Sequence, residues 1–233
     1  MNRTTLKYSF MRSLPVMAGY IVLGTGFGVL LADKGYSFWW AILMSTVVLA
    51  GTLQYVGVEL LATGASLIST ILMSLMINAR HLFYGISMLK KYGRMDWKRF
   101  YAIFALTDET YSLVCTDDVP EDVDREWYYF LLSMMNHSYW IIGSFIGAFI
   151  GNTFEFNSAG VDFSMTALFV VMLVEQWEKS RTHIPALLGG GITLVCLIVF
   201  GADYFLIPSM LIIAAALLLL KPAITKAEGG DEA

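Results

Sequence analysis

The chain has 233 residues, of which 57% are hydrophobic and only 15% charged, with a formal net charge of −4. A water-soluble domain is nearer one-quarter charged and a β-barrel would read as short alternating strands, so the composition points to an all-α, polytopic helical membrane protein. The small net charge says little, because in such a protein the placement of charge matters more than its sum.

The chain opens on "MNRTTLKYSFMRSLP", which carries Arg3, Lys7 and Arg12 and is followed by an apolar run over 14–32. That order imitates a secretory signal. The run is too long and too glycine-rich for one, and further runs follow, so it reads as an uncleaved first helix. Residues 1–13 read as a cytoplasmic arm, 14–220 as one membrane domain and 221–233 as a polar cytoplasmic tail. Apolar segments lie at about 14–32, 38–63, 67–89, 100–115, 127–151, 163–177, 184–200 and 204–220, predicting seven or eight membrane segments. The Lys and Arg residues raise a conflict. If the first three segments all cross from a cytoplasmic N-terminus, the cluster Lys90, Lys91, Arg94, Lys98 and Arg99 falls outside, against the positive-inside rule. Either the rule fails there, or one of 38–63, 67–89 and 100–115 is broken or re-entrant. Gly51 and Gly57 make 38–63 the first candidate. A faint internal similarity between 27–54 and 146–176, each ending in Gln (Gln54 and Gln176), is compatible with a two-repeat transporter.

Within segment 38–63, "LAGTLQY" places Thr52, Gln54 and Tyr55 between two glycines, with Glu59 on the Thr52 face. A break there would free backbone groups to bind a polar ligand. In segment 67–89, Ser66, Thr70, Ser74, Asn78 and His81 recur every four, four, four and three residues, which is one stripe of a helix. Such a stripe either hydrogen-bonds a neighbouring helix or lines a cavity. Arg80 lies about 100° away from His81 on an ideal helix. A cation at mid-bilayer is unfavourable by roughly 2.5–3.5 kcal/mol, so Arg80 needs a partner or a route to the interface.

Segment 100–115 holds the polar block from Thr107 to Ser112, with Asp108 and Glu109 adjacent. Two carboxylates at membrane depth repel unless paired or protonated, and Arg80 and His81 are the obvious partners; an amphipathic interfacial helix is the alternative. An acid beside an arginine can hold a zwitterion, the cation taking a carboxylate and the acid an ammonium. A carboxylate or His81 can also carry a proton, since imidazole titrates near neutral pH.

Segment 127–151 places Ser133, His137 and Ser144 at helical spacing, beside an Asn136–Trp140 pair that reads as packing. Glu175 and Lys179 are spaced for a structural i,i+4 ion pair. Cys115 and Cys196 read as small packing residues, and His81, His137 and His183 are not at metal-ligand spacing. With no GxxxxGK[ST], HExxH or GxSxG motif, the expectation is a non-enzyme without metal or cofactor and without a nucleic-acid partner.

"GTGFGVLLADKGYS", "LAGTLQYVGVELLATGAS", "MINARHLFYGISM" and "ALTDETYSL", in that order, resemble the AzlC-type branched-chain amino-acid permease family, from about Met11 to Leu220. Loops such as "CTDDVPEDVDREWYY" look individual. The resemblance implies an inner-membrane exporter of neutral branched-chain amino acids that works with a small AzlD-type membrane partner, a homo-oligomer being a further arrangement. Gln54, Asn78, Arg80, His81, Tyr84, Asp108 and Glu109 match the family's polar blocks. From charge and depth, Gln54, Asn78, His81, Tyr84 and Asp108 are candidates to bind substrate. Arg80, Asp108, Glu109 and His81 are candidates for charge pairing or proton coupling. The sharper expectation is that Arg80 neutralises Asp108 and Glu109 while Asn78 and His81 face the substrate. A passive channel and a non-transporting scaffold subunit are the competing readings.

Overall fold

The computed structural model describes residues 2–93, 95–116, 119–154, 170, 173–174, 177–178, 182–201 and 205–227. Inside its helices the side chains of 80, 82–83, 90, 116, 206–207, 210 and 221–227 are not among those described. The Arg80 side chain, the Glu175–Lys179 pair and most of the second half of the internal similarity therefore lie outside the described residues. The helices are α1 (Arg3–Asp33), α2 (Phe38–Val47), α3 (Gly51–Ala62), α4 (Leu67–Tyr92), α5 (Lys98–Phe104), α6 (Asp108–Thr116), α7 (Arg125–Thr153), α8 (Ile184–Phe200) and α9 (Leu206–Ala227), with no strand among the described residues. The chain divides into two compact units, Met1–Ser164 and Met165–Ala233. In the second unit α8 packs on α9. The first unit holds every candidate site residue.

The spine of the first unit is α1 against α7. Both carry glycines four apart, Gly24 and Gly28 on α1, Gly143 and Gly147 on α7, the spacing that lets helix backbones touch. A Cβ at Gly24 would lie 2.9 Å from the Ser144 nitrogen, and one at Gly143 would lie 2.8 Å from the Tyr20 carbonyl oxygen. The two helices run parallel. The Asp124 N–H donates to Thr5 Oγ1 at one end (3.1 Å), Ser13 Oγ meets the Tyr139 hydroxyl further along (3.0 Å), and Asn152 Nδ2 donates to the Tyr36 carbonyl at the other end.

Two of the apolar segments do not run through. Segment 38–63 breaks at 48–50, where Leu49 adopts φ +36°, outside the usual range for a residue with a Cβ. α2 starts level with Phe145, its Phe38 ring 5.9 Å from that ring, and reaches His137 at Ser45. α3 then returns, and Glu59 pairs with Lys34 beside the C-terminus of α1 at 3.9 Å. Segment 100–115 does the same from the opposite end. Lys98 pairs with Glu126 at 3.1 Å, Tyr101 reaches His137, and after a break at 105–107 α6 turns back until Lys91 Nζ donates to the Val114 carbonyl at its C-terminus. Each is thus a helical hairpin that enters halfway and leaves by the end it entered.

α4 connects the two ends. It starts after a turn closed by Gly64, whose φ of +63° suits a residue with no Cβ. It finishes with Met88 and Tyr92 in a buried cluster with Met95, Val114, Tyr128, Tyr129 and Leu132. Lys91, Lys98 and Arg99 of the basic cluster therefore share an end with Arg3, Lys7 and Arg12. Of the eight predicted segments, these two are hairpins rather than spans. Among the described residues α1 alone is both long and apolar enough to cross a bilayer by length and composition. Outward faces are nonetheless apolar, with Val22, Leu67, Ile68, Leu75, Ile86 and Leu89 all exposed.

Gly147→Leu should lower the thermal stability of the detergent-purified chain, at an overpacking cost of about 1–3 kcal/mol. Gly19→Leu, at a position where a Cβ meets nothing within 4 Å, should not. Equal melting temperatures for the two variants would remove the α1–α7 contact as the spine.

Candidate functional site

The two hairpins meet at the middle of α7, and three α7 side chains hold both. Trp140 Nε1–H donates to Gln54 Oε1 on α3 at 2.7 Å, and Gln54 Nε2 donates to Ser45 Oγ on α2 at 3.2 Å. His137 bridges the pair, with Nε2 3.1 Å from the Ser45 carbonyl near the end of α2 and Nδ1 2.8 Å from the Tyr101 hydroxyl on α5. Asn136 Nδ2 donates to Thr110 Oγ1 on α6 at 2.9 Å. Trp140 also packs on Tyr20 and Phe27 of α1, and its ring would lie 3.0 Å from a Cβ at Gly51, the first residue of α3. Glycine is needed there because the indole fills the space a side chain would take.

α1 contributes Tyr20, whose hydroxyl lies 2.7 Å from Thr107 Oγ1 and 2.6 Å from Glu109 Oε2. Thr107 and Thr110 hydroxyls are 3.1 Å apart, and Thr107 Oγ1 also accepts the Thr110 N–H, capping α6. Asp108 and Glu109 occupy the first turn of α6, where the partial positive charge of a helix N-terminus favours acids. The first turn of α3 has no acidic residue, and its N-cap position, Ala50, supplies no side-chain hydrogen bond.

On the other side of α6, Tyr84 of α4 stacks on Tyr111 with centroids 4.3 Å apart, and Ser87 Oγ donates to the Tyr111 hydroxyl. His81 meets the edge of Tyr84 at 5.7 Å. The Asn78 Oδ1 acceptor is buried with no hydrogen-bond partner among the described residues. The upper stripe resolves differently. Ser66 caps α4, while Thr70 and Ser74 bond the carbonyls of Ser66 and Thr70 on their own helix, so these hydroxyls are spent locally.

The sequence-predicted residues thus fall into two groups around α6. Tyr84 sits at the α4–α6 contact with His81 at its edge and Asn78 one turn behind, Asp108 lies in the first turn of α6, and Glu109 faces α1. Gln54 lies on the far side of Trp140, fully buried with both ends of its amide engaged. The Arg80 side chain lies outside the described residues. Asn136 and Trp140, which the sequence favours as packing over site, both bond across to neighbouring helices; Tyr20, Ser45 and Tyr101 were passed over altogether. A single Tyr or Ser in an apolar run has no periodic signal. The polar companions of Asn136 and His137 in "SMMNHSYW" were the available clue.

Trp140→Phe keeps the ring contacts and deletes the N–H, leaving the buried Gln54 oxygen without its donor. The expected loss is about 1–3 kcal/mol, read as a lowered unfolding temperature. An unchanged temperature would mean that the Gln54 bond does not hold the α2–α3 hairpin to α7.

Residues 15–154, which contain both hairpins and α7, match the family model described as AzlC protein. The chain is 40% identical, over 94% of its length and 87% of the relative's, to the branched-chain amino acid transport protein AzlC of Bacillus subtilis. It is 42% identical to an uncharacterized membrane protein of Haemophilus influenzae over 95% of its length and 90% of the relative's. It is 28% identical to the inner membrane protein YgaZ of Escherichia coli over 73% and 72% of the two chains. No solved structure matches. The match of the family model to well over half of the chain, together with near full-length relatives, makes the chain a member of the AzlC family.

Proposed function

We propose that the chain is a multi-pass transporter of the cytoplasmic membrane that exports neutral branched-chain amino acids such as valine, leucine or isoleucine. The observation that carries this reading is the junction on α7, where hairpins entering from opposite ends meet in a family member 40% identical to a branched-chain amino acid transport protein. Broken helices at mid-depth are where repeat-built transporters hold substrate, because half-helix ends offer unpaired backbone groups and partial charges. Hairpins from opposite ends can each open toward one side, which is the requirement for alternating access.

The arrangement also supports an orientation. With the hairpins doubling back, α1, α4 and α7 are the crossings of the first unit, and Lys91, Lys98 and Arg99 join Arg3, Lys7 and Arg12 on one side. The positive-inside rule, violated when every apolar segment crosses, is then obeyed with a cytoplasmic N-terminus.

An amino-acid zwitterion brings one anion and one cation. The first turn of α3, free of acidic side chains, suits the carboxylate. Asp108 with Asn78 Oδ1 suits the ammonium, and His81 and Tyr84 complete the wall. Gln54 acts at the α2–α3 hairpin, Arg80 balances Asp108 and Glu109, and no cofactor is required. The family resemblance adds a small AzlD-type membrane partner.

In proteoliposomes the chain, alone or with that partner, should exchange radiolabelled leucine against a panel of neutral amino acids with saturation. Arg80→Ala and Asp108→Asn should each abolish efflux while the protein still inserts. Unchanged efflux in both variants would sink the site assignment. Flux that does not saturate would favour a passive channel, and no leucine binding by purified protein would favour a scaffold subunit.

A further inference from the structure

Tyr20 has one hydroxyl proton and two acceptors at almost equal distance, Glu109 Oε2 at 2.6 Å and Thr107 Oγ1 at 2.7 Å. It can serve only one of them fully. An ionised carboxylate is the stronger acceptor, so with Glu109 charged the proton goes to Glu109. Thr107 Oγ1 then takes its proton from Thr110, and Thr110 Oγ1 takes one from Asn136 Nδ2. In that state Asn136 Oδ1 is a bare acceptor, buried, with no hydrogen-bond partner among the described residues, in a side chain only 1% exposed. Glu109, at the other end of the chain of bonds, is exposed.

A proton on Glu109 changes the order. The carboxyl no longer draws the Tyr20 proton, which turns to Thr107. Thr107, its acceptor position filled, donates to Thr110. The Thr110 proton is released from Thr107 and needs an acceptor, which Asn136 supplies if its amide rotates and presents Oδ1. Rotation carries Nδ2 to where Oδ1 had been. No covalent bond of the chain is broken along the way: a hydronium ion gives its proton to Glu109 and leaves as water, and hydroxyl and amide rotations exchange the hydrogen bonds.

We propose that Glu109 is the site of a coupling proton and that Tyr20, Thr107 and Thr110 relay its state to Asn136, which offers the three-donor substrate ammonium a further acceptor, added to Asp108 and Asn78, only when Glu109 is ionised. This rests on the amino-acid transport reading and deepens it. Proton binding and substrate binding then oppose each other, and by linkage they do so reciprocally. A chain of this kind exchanges an outgoing amino acid for an incoming proton. The titratable groups around this corner are Tyr20 from α1, Asp108 on α6 itself, His81 beside Tyr84 on α4, and His137 from α7, whose ring nitrogens meet Ser45 and Tyr101.

The test compares wild type with Glu109→Gln, Tyr20→Phe and Thr110→Val, the last two leaving the carboxyl in place and cutting the relay at different points. Leucine added to weakly buffered wild-type protein should release protons, and leucine affinity should fall as pH falls. Proton release is lost in Glu109→Gln, and the pH dependence of affinity is lost in Tyr20→Phe and Thr110→Val. Retention of the wild-type pH dependence in both relay variants overturns the proposal. Infrared difference spectra between high and low pH give a readout that needs no substrate. The carboxyl band absent from Glu109→Gln should appear together with a shift of the Asn136 amide carbonyl, and Tyr20→Phe should uncouple them. An Asn136 band that ignores Glu109 protonation also overturns the relay. Wild type that shows the coupled bands but neither binds nor exchanges leucine would instead fail the transport reading.

Discussion

A helix interrupted in apolar surroundings leaves backbone N–H and C=O groups that must find partners, since no water is there to supply them. Everything at the centre of the first unit answers that constraint. α7 passes both interruptions as one unbroken helix and turns Asn136, His137 and Trp140 toward them within little more than one turn. His137 takes up a carbonyl near the end of α2, Trp140 secures Gln54 behind the start of α3, and Asn136 holds the Thr110 hydroxyl in the first turn of α6. Such bonds need α7 at a fixed distance from the breaks. Backbone contact between α1 and α7, possible only because Gly24, Gly28, Gly143 and Gly147 have no side chains, provides it.

The same junction concentrates charge without many charged residues. Four half-helix ends lie there, two N-termini with partial positive charge and two C-termini with partial negative charge. The acids sit on one N-terminus, that of α6, and the first turn of α3 carries none. A dipolar ligand therefore meets an asymmetric field. Because the hairpins come from opposite ends and share His137, a shift of one is felt at the other, and two discrete arrangements are more natural to such packing than a continuous range.

Much of this was legible in the one-dimensional pattern. The breakers bounded the segments, Gly51 marked 38–63 as interrupted, and the Thr107–Ser112 block marked 100–115 as abnormal. The basic cluster 90–99 signalled that at least one segment failed to cross. One doubled-back segment ahead of it, 38–63, is enough to bring that cluster level with the N-terminus, and counting charges could not say which segment doubles back, because a half-length helix and a spanning one have the same apolar composition. The stripe on α4 was correctly periodic, yet Thr70 and Ser74 turn out to bond their own helix, as small hydroxyls readily do. Tyr20 and Ser45 were invisible because an isolated polar group in an apolar run has no spacing to betray it.

By itself the sequence determined the helical class, the family resemblance and most of the places where helices stop, since composition, period and breakers act locally. Only the tertiary structure decided that α1 and α7 run side by side, that the hairpins enter from opposite ends, and that Tyr20 stands between Glu109 and Thr107. These depend on which backbone can approach which, and on partners up to 126 residues apart in the chain, separations over which local pattern carries no information.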